Sequence, residues 1–169
     1  MTGTKNHTTH NGVEKPTESA FRAILRTCGL FRHAMEPYFA RFGISGSQWG
    51  VLRVLHRAQA DGLPGLRLTD VSERLLIRPP SVTGVVDRLQ RLELVARSTL
   101  PSDQRARCIS LTPTGRHLVE RILESHGAQI DAVLAGLSLS EQRELHRLLD
   151  RLALHLETIV ERGESNGIG

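Results

Sequence analysis

The sequence predicts a mainly α-helical protein with one small β-hairpin, in which long helices flank a compact central unit. Apolar residues recur every three or four positions over most of the chain, the spacing of one face of a helix. The segments LVARST and CISLT are short and strand-like, and the polar stretch LPSDQRARC joins them. The longest helical patterns lie at the two ends of the chain.

Length and composition favour one globular domain, or two small intergrown ones. The chain has 169 residues, of which 39% are hydrophobic. No apolar run approaches the roughly 18 residues that cross a membrane. The polar N-terminus carries no signal-peptide pattern, so we expect a cytoplasmic protein without membrane contact.

The same patterns divide the chain into segments. We expect a disordered tail over residues 1–17, a single folded unit over 18–160 and a flexible tail over 161–169. Within the unit, residues 43–112 form the central lobe, and residues 18–42 and 113–160 carry the long helices.

The first two helices have clear boundaries in the sequence. An amphipathic pattern runs from Thr17 to Phe42, with Pro37 inside it, where a kink is expected because proline lacks an N–H donor. Ser45 and Gln48 have the spacing of a capping box, which starts a second helix. That helix is expected to end near residue 60, before the breaker DGLPG.

The centre of the chain predicts shorter elements. LRL forms at most an edge strand, and Thr69 is the expected N-cap of a short helix that ends near Leu76. A fourth helix over residues 79–92 has an apolar stripe centred on Val82, Val86 and Leu89.

Two long helices complete the chain. Thr112 and Pro113 predict a cap and a first helical position after the hairpin, and Gly127 is a weak point of that fifth helix. The segment SLSE, residues 138–141, repeats the capping-box spacing before the sixth helix.

Two short helices followed by a hairpin describe a winged helix-turn-helix, whose second helix enters the DNA major groove, about 12 Å wide. The face opposite the apolar stripe carries small, hydroxyl and basic residues that suit a DNA groove, and a solvated charged surface is the alternative. The residues on this face are Pro80, Ser81, Thr83, Gly84, Asp87, Arg88 and Arg91.

The hairpin strengthens the DNA-binding interpretation. Between Arg78 and Arg107 there are six arginines and three acids, so this segment has a net charge of +3 out of +4 for the chain. Arg105 at the tip can reach a minor groove, where the negative potential favours arginine. Asp103 is expected to orient that guanidinium, and Arg107 to contact phosphate or its own strand. Lysine occurs only twice, and this arginine bias fits either anion recognition or codon usage.

The chain resembles the MarR family of bacterial transcription regulators over roughly residues 20–160. The residues that carry the resemblance are SGSQWGVLRVL, LTDVSERLLIRPPSVTGVVDRLQRLELVAR, DQRARCISLTPTG and LSLSEQRELHRLLDRL. The Asp103-x-Arg105 pair joined to LTPTG, together with PSVTGVVDRL upstream, makes the match specific.

The resemblance implies a homodimeric repressor that binds a pseudo-palindromic operator in double-stranded DNA, with interlocked first, fifth and sixth helices. DNA contacts carry over onto Arg105, oriented by Asp103, and onto Arg78, Ser81, Thr83 and Arg88. The expected dimer contacts are Phe21, Leu145, Leu149, Leu152 and Leu156.

Two positions depart from the family pattern. Glu93 stands where many members have glycine, at a turn that often needs positive φ. Either this turn is built differently or some strain is tolerated. Cys28 does not match the peroxide-sensing cysteine, which argues against peroxide sensing.

The resemblance also implies a pocket for a small aromatic or anionic effector that releases the repressor from DNA. The candidates are His33, Tyr38, Trp49, Arg53 and His117, although aromatic residues on helical stripes more often belong to the core.

Other functions have weaker support. No metal site, cofactor site or enzyme motif is evident, since the folded part has no HxxxH, HExxH or phosphate loop. Two alternatives stay open: a helical homodimeric interaction protein with weakened DNA binding, and a thiol-responsive regulator that uses Cys28 and Cys108.

Overall fold

The computed structural model describes the backbone of residues 15–100 and 103–166 and, within these ranges, the side chains of all but residues 99–107 and 163–166. These residues form a mainly helical unit with a three-stranded antiparallel sheet, as the sequence predicts. The elements are α1 (Pro16–Ala40), α2 (Gly46–Ala60), β1 (Leu66–Arg67), α3 (Leu68–Leu75), α4 (Pro79–Arg91), β2 (Val95–Leu100), β3 (Asp103–Leu111), α5 (Pro113–Leu134) and α6 (Leu139–Asn166).

The first two helices begin as expected. α1 has Pro16 in its first turn and continues as helix through Pro37. The Ser45 hydroxyl accepts the Gln48 N–H at 3.3 Å, and the Gln48 side chain accepts the Ser45 N–H at 2.8 Å. The predicted capping box of α2 is therefore confirmed.

The predicted cap of α3 is wrong. Thr69 lies inside the helix, and Arg67 is the N-cap residue. The Asp70 carboxylate reaches back to accept the Arg67 backbone N–H at 3.0 Å. A carboxylate in the first turn also interacts favourably with the helix dipole, so Asp70 stabilises this end of α3 through both its hydrogen bond and its charge.

The sheet has the strand order β1-β3-β2, so the hairpin strand β3 lies in the middle. Val95 pairs with Leu111 and the register continues to Thr99 opposite Arg107, after which it shifts so that Leu100 faces Asp103. The two-residue β1 pairs with β3 at its other edge. The predicted hairpin and edge strand are thus both present.

The turn from α4 into the sheet keeps the left-handed backbone that usually calls for glycine. Glu93 has φ of 57°, a conformation that costs an L-residue about 1–2 kcal/mol. The Thr112 hydroxyl donates to the Glu93 carbonyl at 2.7 Å and accepts the Gly115 N–H at 3.0 Å. Thr112 thus caps α5 and also stabilises the strained turn. The turn therefore keeps its left-handed backbone with glutamate at position 93.

The two long C-terminal helices are both present, and the second extends past its predicted end. α5 passes through Gly127 without a break. The Glu141 carboxylate accepts the Ser138 N–H at 2.8 Å, which confirms the predicted capping box of α6. α6 runs to Asn166, past the predicted end at residue 160. Most of the predicted N-terminal tail, residues 1–14, and residues 167–169 lie outside the described residues.

The core joins the central helices to the sheet. Its most deeply buried side chains come from α2, α3, α4, β2, β3 and α5, and include Leu52, Leu55, Val71, Leu89, Val95 and Ile122. α1 and α5 are joined by the Tyr38 hydroxyl, which donates to the Ile122 carbonyl at 2.8 Å. α6, in contrast, carries a series of exposed leucines. No helix in the described ranges is long and apolar enough to cross a membrane.

Candidate nucleic-acid interface

α4 separates an apolar face from a polar face, as predicted. Val82, Val85, Val86 and Leu89 are buried, which fixes the rotation of the helix on the core. Ser81, Arg88 and Arg91 are exposed on the other side, and Thr83, Gly84 and Asp87 are half-buried. The structure therefore brings these predicted contact residues onto one accessible surface.

Near the start of α4, small side chains form this surface, so little protrudes from the helix backbone. A Cβ atom added to Gly84 would meet only the Arg88 guanidinium at 3.9 Å, so space is open above this position. The Thr83 hydroxyl donates to the Pro79 carbonyl at 3.1 Å, which leaves its oxygen free to accept. Arg78, the N-cap residue of α4, is exposed beside it.

Hydrogen bonds from the buried Ser72 stabilise the turn between α3 and α4. Ser72 is buried, its hydroxyl donates to the Ile77 carbonyl, and its own carbonyl accepts the Ile77 N–H at 3.1 Å. Leu76 has φ of 52° and is 94% exposed. A bulky apolar side chain in left-handed backbone is costly, so this turn is kept tight at some expense in stability.

An ion pair joins α4 to the hairpin. The Arg97 guanidinium on β2 lies 2.5 Å from the Asp87 carboxylate on α4, and both side chains are partly exposed. Asp87 was predicted to lie on the DNA-facing side, and the structure gives it a second partner within the protein. The Arg97 guanidinium thereby offsets part of the repulsion that the Asp87 carboxylate would cause near a phosphate.

The hairpin tip is described only in its backbone. Asp103, Arg105 and Arg107 belong to β3, but their side chains lie outside the described residues. The predicted contact between Asp103 and Arg105 therefore stays a prediction.

The candidate effector residues separate into two groups. Tyr38 and Trp49 are buried, with 3% and 6% of their surface exposed, and the Arg53 guanidinium lies 5.9 Å from the Trp49 ring centre. His33 is exposed on α1, and His117 is exposed on α5, where it lies 4.0 Å from the Glu120 carboxylate. Tyr38 and Trp49 are core residues here, which is the alternative that their helical spacing favoured.

A cavity of about 340 Å³ opens beside Arg53, between α2 and α5. Its polar wall includes Arg53, His56, Arg57 and Asp61, and its apolar floor is made by Val119 and Leu123. The wall therefore carries excess positive charge over an apolar base.

The sequence did not single out His126 as a functional residue. Its ring lies 5.1 Å from Trp49, 5.7 Å from Tyr38 and 6.0 Å from Phe39, measured between ring centres. These partners lie about 80 residues away in the chain, so no local pattern could have indicated the cluster. Burial lowers the pKa of His126 below its ordinary value, and the charge of Arg53 lowers it further.

The predicted dimer residues form part of an unpartnered apolar surface. Phe21, Leu145, Leu149 and Leu156 are 39–62% exposed, and Leu152 is half-buried. A groove of about 530 Å³ between α1, α5 and α6 continues this surface and includes Cys28, Phe31, Leu145 and Leu149.

The two cysteines lie apart. Cys28 is exposed on α1, whereas Cys108 is buried in β3, with its sulfur 3.1 Å from the Ser98 hydroxyl oxygen. Both are free thiols. Among the described residues, no group of three or more histidine, cysteine, aspartate or glutamate side chains could hold a metal ion.

Comparison with known proteins agrees with this geometry. A family model described as MarR family matches residues 42–106, which span α2 to the start of β3. The transcriptional regulator FarR of Neisseria gonorrhoeae is 31% identical over 144 residues, which is 82% of this chain and 94% of that protein.

Two solved structures share the fold. Mutant MarR from E. coli complexed with operator DNA is 20% identical, with a TM-score of 0.72, over 79% of this chain and 93% of the other. CouR from Rhodococcus jostii, bound to p-coumaroyl-CoA, is 24% identical, with a TM-score of 0.68, over 83% and 95%.

Proposed function

This chain belongs to the MarR family, and we propose that it is a sequence-specific DNA-binding transcriptional repressor. FarR is named as a transcriptional regulator, and the MarR structure described above is a complex with operator DNA. The proposal depends chiefly on one observation. Beside the hairpin, α4 exposes a surface of small and basic side chains, and an ion pair joins the two elements.

The recognition helix in this proposal is α4. Ser81 and Thr83, near its N-terminus, can bond base edges or phosphates, and the helix N-terminus favours an anion. Arg88 and Arg91 lie one and two turns further along and are both exposed. These arginines are suited to the phosphates that flank the major groove.

The hairpin is the wing in this proposal. Arg105 enters the minor groove, Asp103 orients it, and Arg107 binds phosphate. The hairpin's geometry supports this, because β3 lies centrally in the sheet and projects its first residues beyond the shift between Thr99 and Leu100.

The repressor acts as a homodimer. Phe21, together with Leu145, Leu149 and Leu156 of α6, exposes apolar surface in the single chain, and a contiguous exposed apolar patch marks an interaction site. A second copy covers it through a two-fold interface, in which residues 18–42 and 113–160 of both protomers interlock. Two α4 helices then lie about 34 Å apart on a pseudo-palindromic operator.

A small organic acid is the proposed effector. The cavity beside Arg53 combines positive charge with an apolar floor, which fits a carboxylate on a compact apolar body. An acid bound there would bridge α2 of residues 43–112 and α5 of the dimerisation segment. The p-coumaroyl-CoA bound by CouR supports the general idea of a ligand-responsive regulator.

The alternatives make different predictions. An interaction protein would form the same dimer but would not bind DNA. A thiol-responsive regulator would need an accessible thiol, and Cys28 is exposed whereas Cys108 is buried. Cys28 lies in the groove between α1 and α6, where a partner copy would cover it.

The proposal is tested by binding of the purified protein to the DNA upstream of its own coding region. Retarded migration in a gel at low salt, lost when Arg88 and Arg105 are both changed to alanine, is the expected result. A folded dimer that binds no duplex at low salt would favour the interaction protein instead.

A further inference from the structure

His126 lies where the DNA-binding lobe meets the long helices. It belongs to α5, and the rings around it come from two other helices, Tyr38 and Phe39 on α1 and Trp49 on α2. Only 8% of its surface is exposed. The side chain therefore packs three helices together, and α2 is the helix that connects this junction to the DNA-binding lobe.

The imidazole has an unsatisfied nitrogen in this position. Nδ1 of His126 is buried and makes no hydrogen bond in the structure. The neighbouring polar group is engaged elsewhere, since the Tyr38 hydroxyl bonds the Ile122 carbonyl and the Ser125 hydroxyl. A neutral ring can keep Nδ1 as an unprotonated acceptor at modest cost, whereas a protonated ring would bury an unpaired N–H donor and a charge.

The surrounding charges also oppose protonation. Arg41, at the end of α1, lies over the Tyr38 ring at 5.0 Å, and Arg53 of α2 lies over the Trp49 ring at 5.9 Å. Within the described residues, the charge that acts on the pKa of His126 is that of Arg53, and it lowers this pKa. Tyr38 is the other titratable group whose ring meets that of His126, at 5.7 Å between ring centres.

We propose that His126 is a pH-sensitive switch: its neutral ring locks α2 against α1 and α5, and protonation at mildly acidic pH loosens this junction and weakens operator binding. The proposal rests on the proposed DNA-binding function. The direction follows from linkage. Conformations in which the ring is hydrated bind the proton more tightly than the closed one, so acid increases their population. The lobes of the dimer then lose the fixed spacing that a two-fold operator requires.

The single tryptophan gives a local readout that needs no DNA. The chain has one Trp, and Trp49 meets His126 edge to face. A protonated imidazole quenches indole fluorescence more strongly than a neutral one. Acid titration of the intact protein should therefore lower Trp49 emission with a midpoint below pH 6.5, and His126→Phe should abolish this step. Arg53→Gln should move the midpoint upward, because it removes a repelling charge.

DNA affinity is then measured from pH 7.5 to 5.5 by fluorescence anisotropy, with wild type, His126→Phe, His126→Gln and the exposed control His155→Gln. Titratable groups other than His126 also bind protons over this range, and they do so in every variant. The ratio of wild-type affinity to His126→Phe affinity therefore reports the effect of His126 alone. We expect that ratio to fall by up to about tenfold per pH unit below 6.5. His155→Gln should follow wild type.

Three results would overturn the switch. They are the absence of a fluorescence step in wild type, a step that survives in His126→Phe, and an affinity ratio that stays flat with pH. Failure of all variants to bind DNA at pH 7.5 would overturn the proposed function and, with it, the switch. The fluorescence titration is run on wild type as well, so it does not depend on a variant that fails to fold.

Discussion

Arg97 on β2 and Asp87 on α4 form an ion pair, with 2.5 Å between the guanidinium nitrogen and the carboxylate oxygen. This pair connects the proposed recognition helix to the proposed wing across ten residues of sequence. Its contribution to stability should nevertheless be small, because both side chains are partly exposed and water screens them. Its main effect is to fix the angle between two elements that would contact the same DNA.

A double-mutant cycle with Asp87→Ala and Arg97→Ala tests this relationship. We expect a coupling free energy of about 0.2–1 kcal/mol in urea unfolding, which should decrease at high salt. In DNA binding, Asp87→Asn should lower affinity despite the loss of a negative charge, since it frees the wing. An increase in affinity would mean that the carboxylate only repels phosphate.

Gly84 tests whether α4 enters a groove. The position has open space above it, so both Gly84→Ala and Gly84→Trp should fold, and the alanine should stabilise the helix by about 0.5–1 kcal/mol. Only the tryptophan should block close approach to DNA and reduce affinity at least about tenfold. Equal DNA affinities in gel-shift titrations would contradict insertion of this face.

Gly115, the last residue of the LTPTG motif, allows α5 to pack closely against the backbone of Leu94. A Cβ atom there would overlap the Leu94 carbonyl oxygen, so Gly115→Ala must displace α5 from the start of the wing. We expect it to lower the free energy of unfolding by about 1–3 kcal/mol or more. The matched control is Gly127→Ala on the same helix, which meets nothing within 4 Å and should stabilise by about 0.5–1 kcal/mol. Similar thermal shifts for the two variants would refute this role.

The dimer interface is tested by two leucines on opposite faces of α6. Leu149→Glu should produce monomers in sedimentation velocity, because it buries a charge in the proposed interface. Leu154 is 64% exposed and lies five residues further along, on the other side of the helix, so Leu154→Glu should remain dimeric. If both variants remain dimeric, the dimer interface does not include the face of α6 that carries Leu149.

Much of the fold was predictable because its signals are local. The stripe of Val82, Val86 and Leu89 sets the rotation of α4, and the Ser45 and Ser138 capping boxes set two helix starts. At α3 the prediction failed because Thr69 and Asp70 are both suitable polar residues, and only the geometry shows that the carboxylate reaches back.

The rest depends on contacts between distant segments. The sequence shows His126 only as one histidine nine residues after His117, and its aromatic partners come from other helices. The Thr112 bond that holds the Glu93 turn likewise spans 19 residues. Such pairings follow from how the elements pack, and no spacing rule in a single sequence contains them.

DNA binding is tested most directly by a salt titration with the protein's own upstream DNA, measured by fluorescence anisotropy. Binding should be tight at about 50 mM salt, and log affinity should fall linearly with log salt. In Arg88→Ala the slope should become shallower by about 2, since each of the two protomers loses one phosphate contact. A folded dimer that does not bind this DNA at about 50 mM salt would contradict the proposed DNA-binding function.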